Sequence, residues 1–194
     1  MFARISEYIT QQLETNNVII KENRELYKFG IQNGLIITLN LITSLIIGAF
    51  LGEFVYSILL LVVYIPLRTY SGGYHASTPI RCYVVSSGIM VLWLSVLKWI
   101  EIPSSCCVIS FFLCFIICIY LSPIDTKNKK FDKNEKKEFG KRAKIVIIIY
   151  AAIWLSALCA DIQIVVKIIT LAVCTETIMM IIGIIDNNRY KKRK

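Results

Sequence analysis

Apolar and polar positions alternate along this chain in long blocks. Six apolar runs stand out: Phe29–Leu51, Phe54–Leu67, Ile80–Ile100, Ser104–Leu121, Ile145–Ala160 and Ile164–Ile185. A helix needs about 20 apolar residues to cross hydrocarbon, so the pattern predicts six spanning helices. The second run is short; it crosses if Arg68 snorkels or if the polar stretch behind it dips inward. Polar turns at Gly52-Glu53, Glu101-Ile102-Pro103 and around Asp161 separate the runs. Ahead of them, residues 2–15 put Phe2, Ile5, Ile9 and Leu13 on one helical face, with Arg4, Glu7, Gln11 and Glu14 elsewhere. That is a surface helix, either amphipathic at the membrane interface or packed on the rest of the protein. The expected fold is all-α: a single membrane-embedded unit over residues 1–194, with six transmembrane helices, an N-terminal amphipathic helix and a polar stretch between helices 2 and 3.

Composition agrees. Hydrophobic residues make up 56% of the 194 and mean hydropathy is +0.64. A soluble core of this size cannot hide so many, so the surplus faces lipid. The charged, mixed first 28 residues do not read as a removable signal peptide. Net charge is +9, with basic residues concentrated in residues 1–28, in Lys127–Lys144 and in Arg189–Lys194. Nucleic-acid binding is the bland reading of such clusters; in so apolar a chain the positive-inside rule accounts for them better. Four runs separate the first cluster from the second and two separate the second from the third. Both counts are even, so residues 1–28, a basic loop over 122–144 and a tail over 186–194 all fall on the cytoplasmic side of the membrane. The lipid bilayer is then a partner and nucleic acid is not. The stretch between runs two and three is also cytoplasmic, where a thiol stays reduced.

That stretch, Arg68 to Cys82, carries the candidate chemistry: R-T-Y-S-G-G-Y-H-A-S-T-P-I-R-C. It holds the single histidine, His75, and seven residues later Cys82. Cysteine attacks as thiolate, and a neighbouring imidazole is the usual base. Thr78 is a natural N-cap and Pro79 suits the first helical position, so Cys82 falls in the first turn of span three, where an anionic sulfur is favoured. Arg68 and Arg81 add positive charge. Gly72 and Gly73 admit backbone conformations closed to other residues. Ser71 and Ser77 are placed to orient the imidazole, and Asp125 does so only if its loop returns to the site; the sequence does not choose among them. The other six cysteines lie in apolar runs, where they behave as small hydrophobes. No metal site and no cofactor are expected. Glu176, inside the last run, is a functional candidate at membrane depth or else a group bonded to another span, as through Thr175 or Tyr150. A small transporter or exporter with Arg68, His75 and Glu176 as pathway residues is the rival reading; the two halves show no internal repeat to support it.

R-x-x-S-G-G-x-H-A followed by Cys, together with S-P-I-D-T-K-N-K-K at 122–130, resembles the accessory gene regulator B family of bacterial membrane endopeptidases that process quorum-sensing propeptides. The resemblance implies His75 and Cys82 as catalytic pair, supported by Arg68, Gly72 and Gly73; Ser71, Thr78, Pro79 and Arg81 join them as active-site support from the residue reading above. Pro123, Asp125 and Lys129 match the family's later motif. With Lys130 and Glu176 they are candidates for binding substrate. The implied substrate is a small propeptide with an amphipathic leader and an acidic tail, cut through a Cys82 acyl-enzyme and cyclised to a thiolactone or lactone. A homodimer is compatible with this reading.

Overall fold

In the computed structural model, which describes residues 2–74, 78–124 and 132–191, seven α-helices follow one another: α1 Phe2–Thr15, α2 Arg24–Leu51, α3 Phe54–Ser71, α4 Pro79–Trp99, α5 Ser104–Leu121, α6 Lys133–Cys159 and α7 Gln163–Lys191. Helices α2 to α7 are each long and apolar enough to cross a membrane. Large apolar side chains such as Phe50, Ile80, Ile109 and Tyr120 point outward from them, the arrangement a bilayer requires. The chain is a multi-pass membrane protein.

Helix ends differ from the apolar runs where polar residues continue a helix. α3 runs through Arg68 to Ser71, so the short second span gains a turn, and Tyr74 behind it bonds to the α7 backbone at Met179. The expected loop over 122–144 is helical from Lys133 onward. Glu135 accepts a hydrogen bond from the Asp132 backbone N–H (3.1 Å), a capping box that starts α6 three turns before its apolar part. α7 likewise continues past Ile185 to Lys191.

α7 is the central helix. Its spanning window is 61% buried, against 11–22% for the other five. One face meets Leu67, Phe111 and Trp154 in the larger apolar cluster, where Phe111 and Trp154 stack at 4.3 Å; another meets Leu60, Met90 and Leu94. Lipid tails are as apolar as these side chains, so close packing and interhelical hydrogen bonds must hold the bundle. α7 supplies them. Trp154 Nε1 on α6 donates to Thr170 (2.9 Å), Trp93 Nε1 on α4 donates to Thr175 (2.6 Å), and Thr177 shares a hydrogen bond with the Cys118 thiol of α5 (3.1 Å).

α1 packs back along the start of α2. Glu7 is paired with Lys28 and with Arg24 (2.6 Å), and Ser6 and Thr10 are buried. The Lys28 hydrogen bond, then its charge and that of Arg24, hold the Glu7 carboxyl below its usual range, so these pairs are intact at neutral pH and are lost as pH falls through that lowered value. Ile5 and Tyr8 remain exposed on the same helix.

α2 and α3 approach closely at Gly48, where an added Cβ would lie 2.6 Å from the Ser57 Cβ and 3.3 Å from the Phe54 Cα; Gly34 and Gly88 have nothing within 4 Å. Gly48→Ala is expected to lower the thermal midpoint in detergent. Gly34→Ala and Gly88→Ala are expected to leave it unchanged or raise it, since helical glycine costs about 0.5–1 kcal/mol relative to alanine. Equal effects at all three positions would contradict this packing.

Candidate active site

α3 ends at Ser71 because the next two residues take backbone angles that favour glycine: φ is +79° at Gly72 and +112° at Gly73. The chain turns there into a short extended segment held on two sides. On one side the Ile124 N–H donates to Ser71 O (3.0 Å), and Gly72 pairs with Ile124 in an isolated parallel bridge. On the other the Tyr74 N–H donates to Met179 O of α7 (2.9 Å). Glycine is needed at each approach. A Cβ on Gly72 would sit 2.7 Å from Ile124 O, one on Gly73 3.2 Å from Met179 O, and one on Gly183 2.8 Å from Tyr74 N.

Arg68 ties this turn together. Its Nη1 donates to Gly72 O (2.7 Å) and its Nη2 to Tyr74 O, so the guanidinium satisfies two carbonyls of the turn that follows α3. Nη1 also lies 3.7 Å from Glu176 Oε1. Glu176 is fully buried, and among the described residues neither carboxylate oxygen has a hydrogen-bond partner; the arginine is its counter-charge. The three consecutive residues 175–177 of α7 thus face α4, α3 and α5 in turn.

Thr78 caps α4 as the sequence predicts. Its hydroxyl accepts from the Arg81 N–H (3.4 Å), and Pro79 is the first helical residue. The Cys82 N–H donates to Thr78 O (3.1 Å), which fixes the cysteine in the first turn, half-buried. Cys82, Arg68, Gly72, Tyr74 and Ile124 all line one cavity of about 450 Å³, which continues between α2, α3, α4 and α7. Pro123 packs on α6, where a Cβ at Gly140 would lie 3.0 Å from its Cδ, and the Tyr70 ring of α3 lies 6.2 Å from Phe139. These contacts bring the exposed basic turns of α6, with Lys137, Lys141 and Arg142, beside the end of α3.

Of the residues singled out in the sequence, Arg68, Gly72 and Cys82 share the cavity wall. Ser71 and Gly73 build the turn behind it; Ser71 is fully buried, and its hydroxyl has no partner among the described residues. Thr78, Pro79 and Arg81 form the helix start. Pro123 joins through Ile124, and Glu176 joins through Arg68 rather than through Thr175 or Tyr150. His75, Ser77, Asp125, Lys129 and Lys130 lie outside the described residues. Sequence reasoning missed Ile124, Met179 and Gly183, which hold the turn, and Asn40 and Tyr64, which line the cavity. Gly183, an isolated glycine in an apolar helix, was the available signal.

The Arg68–Glu176 pair generates a stability prediction. Removing one member of a buried ion pair costs about 3–5 kcal/mol. Arg68 keeps 22% of its side chain exposed and retains two carbonyl partners, so Glu176→Gln should cost less, about 2 kcal/mol. In a double-mutant cycle with Arg68→Met, followed by unfolding in detergent, the coupling should exceed about 1 kcal/mol. Simple additivity would show that the two groups do not interact.

No curated protein and no solved structure matches the chain. The family model described as "Accessory gene regulator B" matches residues 5–181. Its span takes in the turn at Gly72-Gly73, Cys82, and Glu176 and Met179 of α7. The chain therefore belongs to the accessory gene regulator B family, with a role in quorum-sensing peptide processing at a membrane.

Proposed function

We propose that the protein is a membrane cysteine endopeptidase in which Cys82 attacks the amide joining the signal segment of a small propeptide to its C-terminal tail. The observation that carries this reading is the setting of Cys82: the first turn of a capped helix, in the wall of a cavity shared with Arg68. His75 takes the thiol proton and gives it to the departing amine. The sulfur–carbonyl bond forms as the amide C–N bond breaks, leaving a thioester on Cys82. The propeptide's own Cys or Ser then attacks the thioester, releases the Cys82 thiol and closes a thiolactone or lactone. Walls among the helices keep water from the thioester, which would otherwise hydrolyse to a linear peptide.

Both termini and the site face the cytoplasm of a bacterial cell in this reading, supported by the basic residues that flank the six spans. An acidic tail on the substrate would meet the basic start of α6, which packs beside the end of α3.

Three measurements test this. In inverted membranes, Cys82→Ser and His75→Ala should each abolish propeptide cleavage. A wild-type reaction on a propeptide whose ring-forming residue is Ala should leave an acyl adduct on Cys82 that hydroxylamine releases. Cleavage undiminished in Cys82→Ala would remove the protease reading in favour of a transporter. Replacing Lys129, Lys130, Lys133, Lys136 and Lys137 by Gln should slow processing of an acidic-tailed propeptide, and the defect should shrink with salt, because exposed charges are screened over about 10 Å at 0.1 M. Unchanged processing at low salt would confine these lysines to setting topology.

A further inference from the structure

The cavity behind Cys82 extends well beyond what bond cleavage requires. Its residues on α4 are Cys82, Val85, Ser86, Ile89, Met90 and Trp93, one face of the helix followed inward. At 1.5 Å per residue, Cys82 to Trp93 spans about 16 Å. Trp93 is the α4 lining residue farthest from Cys82, held by its hydrogen bond to Thr175 (2.6 Å). The facing walls are mostly carbon, with Ile37 and Leu41 from α2 and Leu60, Leu61 and Ile65 from α3. Small side chains, Ser44 on α2 and Ser86 on α4, keep it open. The charged group among the lining residues is Arg68, at the Cys82 end.

From this shape we infer that the cavity is a specificity slot for bulky apolar side chains on the acyl side of the scissile bond, the residues that remain joined to Cys82 in the thioester. The inference rests on the protease reading and adds a subsite to it. A volume of about 450 Å³ lies in the range of small-ligand sites and suits one or two large side chains, not a helix. Beyond Arg68 the lining offers a carboxylate no counter-charge, so an acidic tail is disfavoured along these walls. The segment on the other side of the bond is left to enter. Ser86 lies one turn inward from Cys82 on the same face, where the first such side chain would rest.

The test reads alkylation of Cys82, which does not require a propeptide. The probes are acetyl-Leu-Phe and acetyl-Ala-Ala chloromethyl ketones, applied to the full-length protein in detergent. The Cys82 sulfur displaces chloride from the methylene carbon, forming a thioether, and the side chains sit on the acyl side of the reactive carbonyl. Cys159, exposed on the bundle surface, reports partition of the reagent into the micelle. Leu-Phe is expected to modify Cys82 at least about tenfold faster than Ala-Ala after that correction, the scale on which an apolar pocket separates side-chain sizes. Ser86→Phe and Ser44→Phe should each collapse the ratio toward one. Ile89→Ala, which enlarges the slot and should fold even where the phenylalanine variants do not, should shift preference from Leu-Phe toward Leu-Trp. Equal rates for the two ketones on wild-type protein, or a ratio unmoved by all three substitutions, overturn the slot. A Leu-Phe preference in protein that cleaves no propeptide would uphold the slot while removing the reaction.

Discussion

The site depends on a buried charge pair whose positive member also serves as a backbone cap. Arg68 faces Glu176 at 3.7 Å and holds the carbonyls of Gly72 and Tyr74. A carboxylate inside the bundle is costly without a counter-charge, and bare carbonyls in a buried turn are costly in an apolar setting. One guanidinium answers both costs, and lysine, a point charge without the planar fork, would not. Because Glu176 belongs to the most buried helix, the turn before Cys82 is referenced to the centre of the protein.

Around that pair, glycines set how closely the pieces approach. Gly72 meets Ile124, Gly73 meets Met179, Gly183 meets Tyr74 and Gly140 meets Pro123. The motif residues around 68–74 and those around 122–124, about fifty positions apart, are therefore parts of one junction, joined at the Gly72–Ile124 bridge. Their separate appearance in the sequence reflects one packing requirement. The Tyr70–Phe139 contact extends the junction to α6, which links the basic first turns of that helix to the cavity mouth.

Much of the fold was legible because it rests on local pattern. Apolar runs separated by Gly-Glu, Pro and Asp turns mark six helices, and Thr78-Pro79 marks the start of α4. The boundaries that went unread are those where a cap or a polar helix former extends a helix beyond its apolar run. Asp132 and Glu135 carry α6 back through Lys133–Lys144, a segment whose charge had suggested a loop. The nucleophile and the glycine turn were visible in Arg68–Cys82, but their partners were not. Ile124, Met179 and Gly183 act through main-chain atoms or through having no side chain, and such contacts leave no chemical signature in a sequence. The partner of Glu176 was missed for a related reason: an arginine near a helix end reads as a snorkelling residue, whereas here it turns inward.

The position of Glu176, Met179 and Gly183 in the last spanning helix bears on how the protein is made. Chains are synthesised from the N-terminus, and their earlier parts begin to fold first. Cys82 thus enters the membrane three helices before the residues that hold the turn beside it. Until α7 is inserted, Arg68 lacks its counter-charge and Tyr74 its carbonyl acceptor, and the cavity has no fourth side. A truncated or stalled chain carries the cysteine without the surroundings that define the site, so the finished arrangement is withheld until biosynthesis is nearly complete.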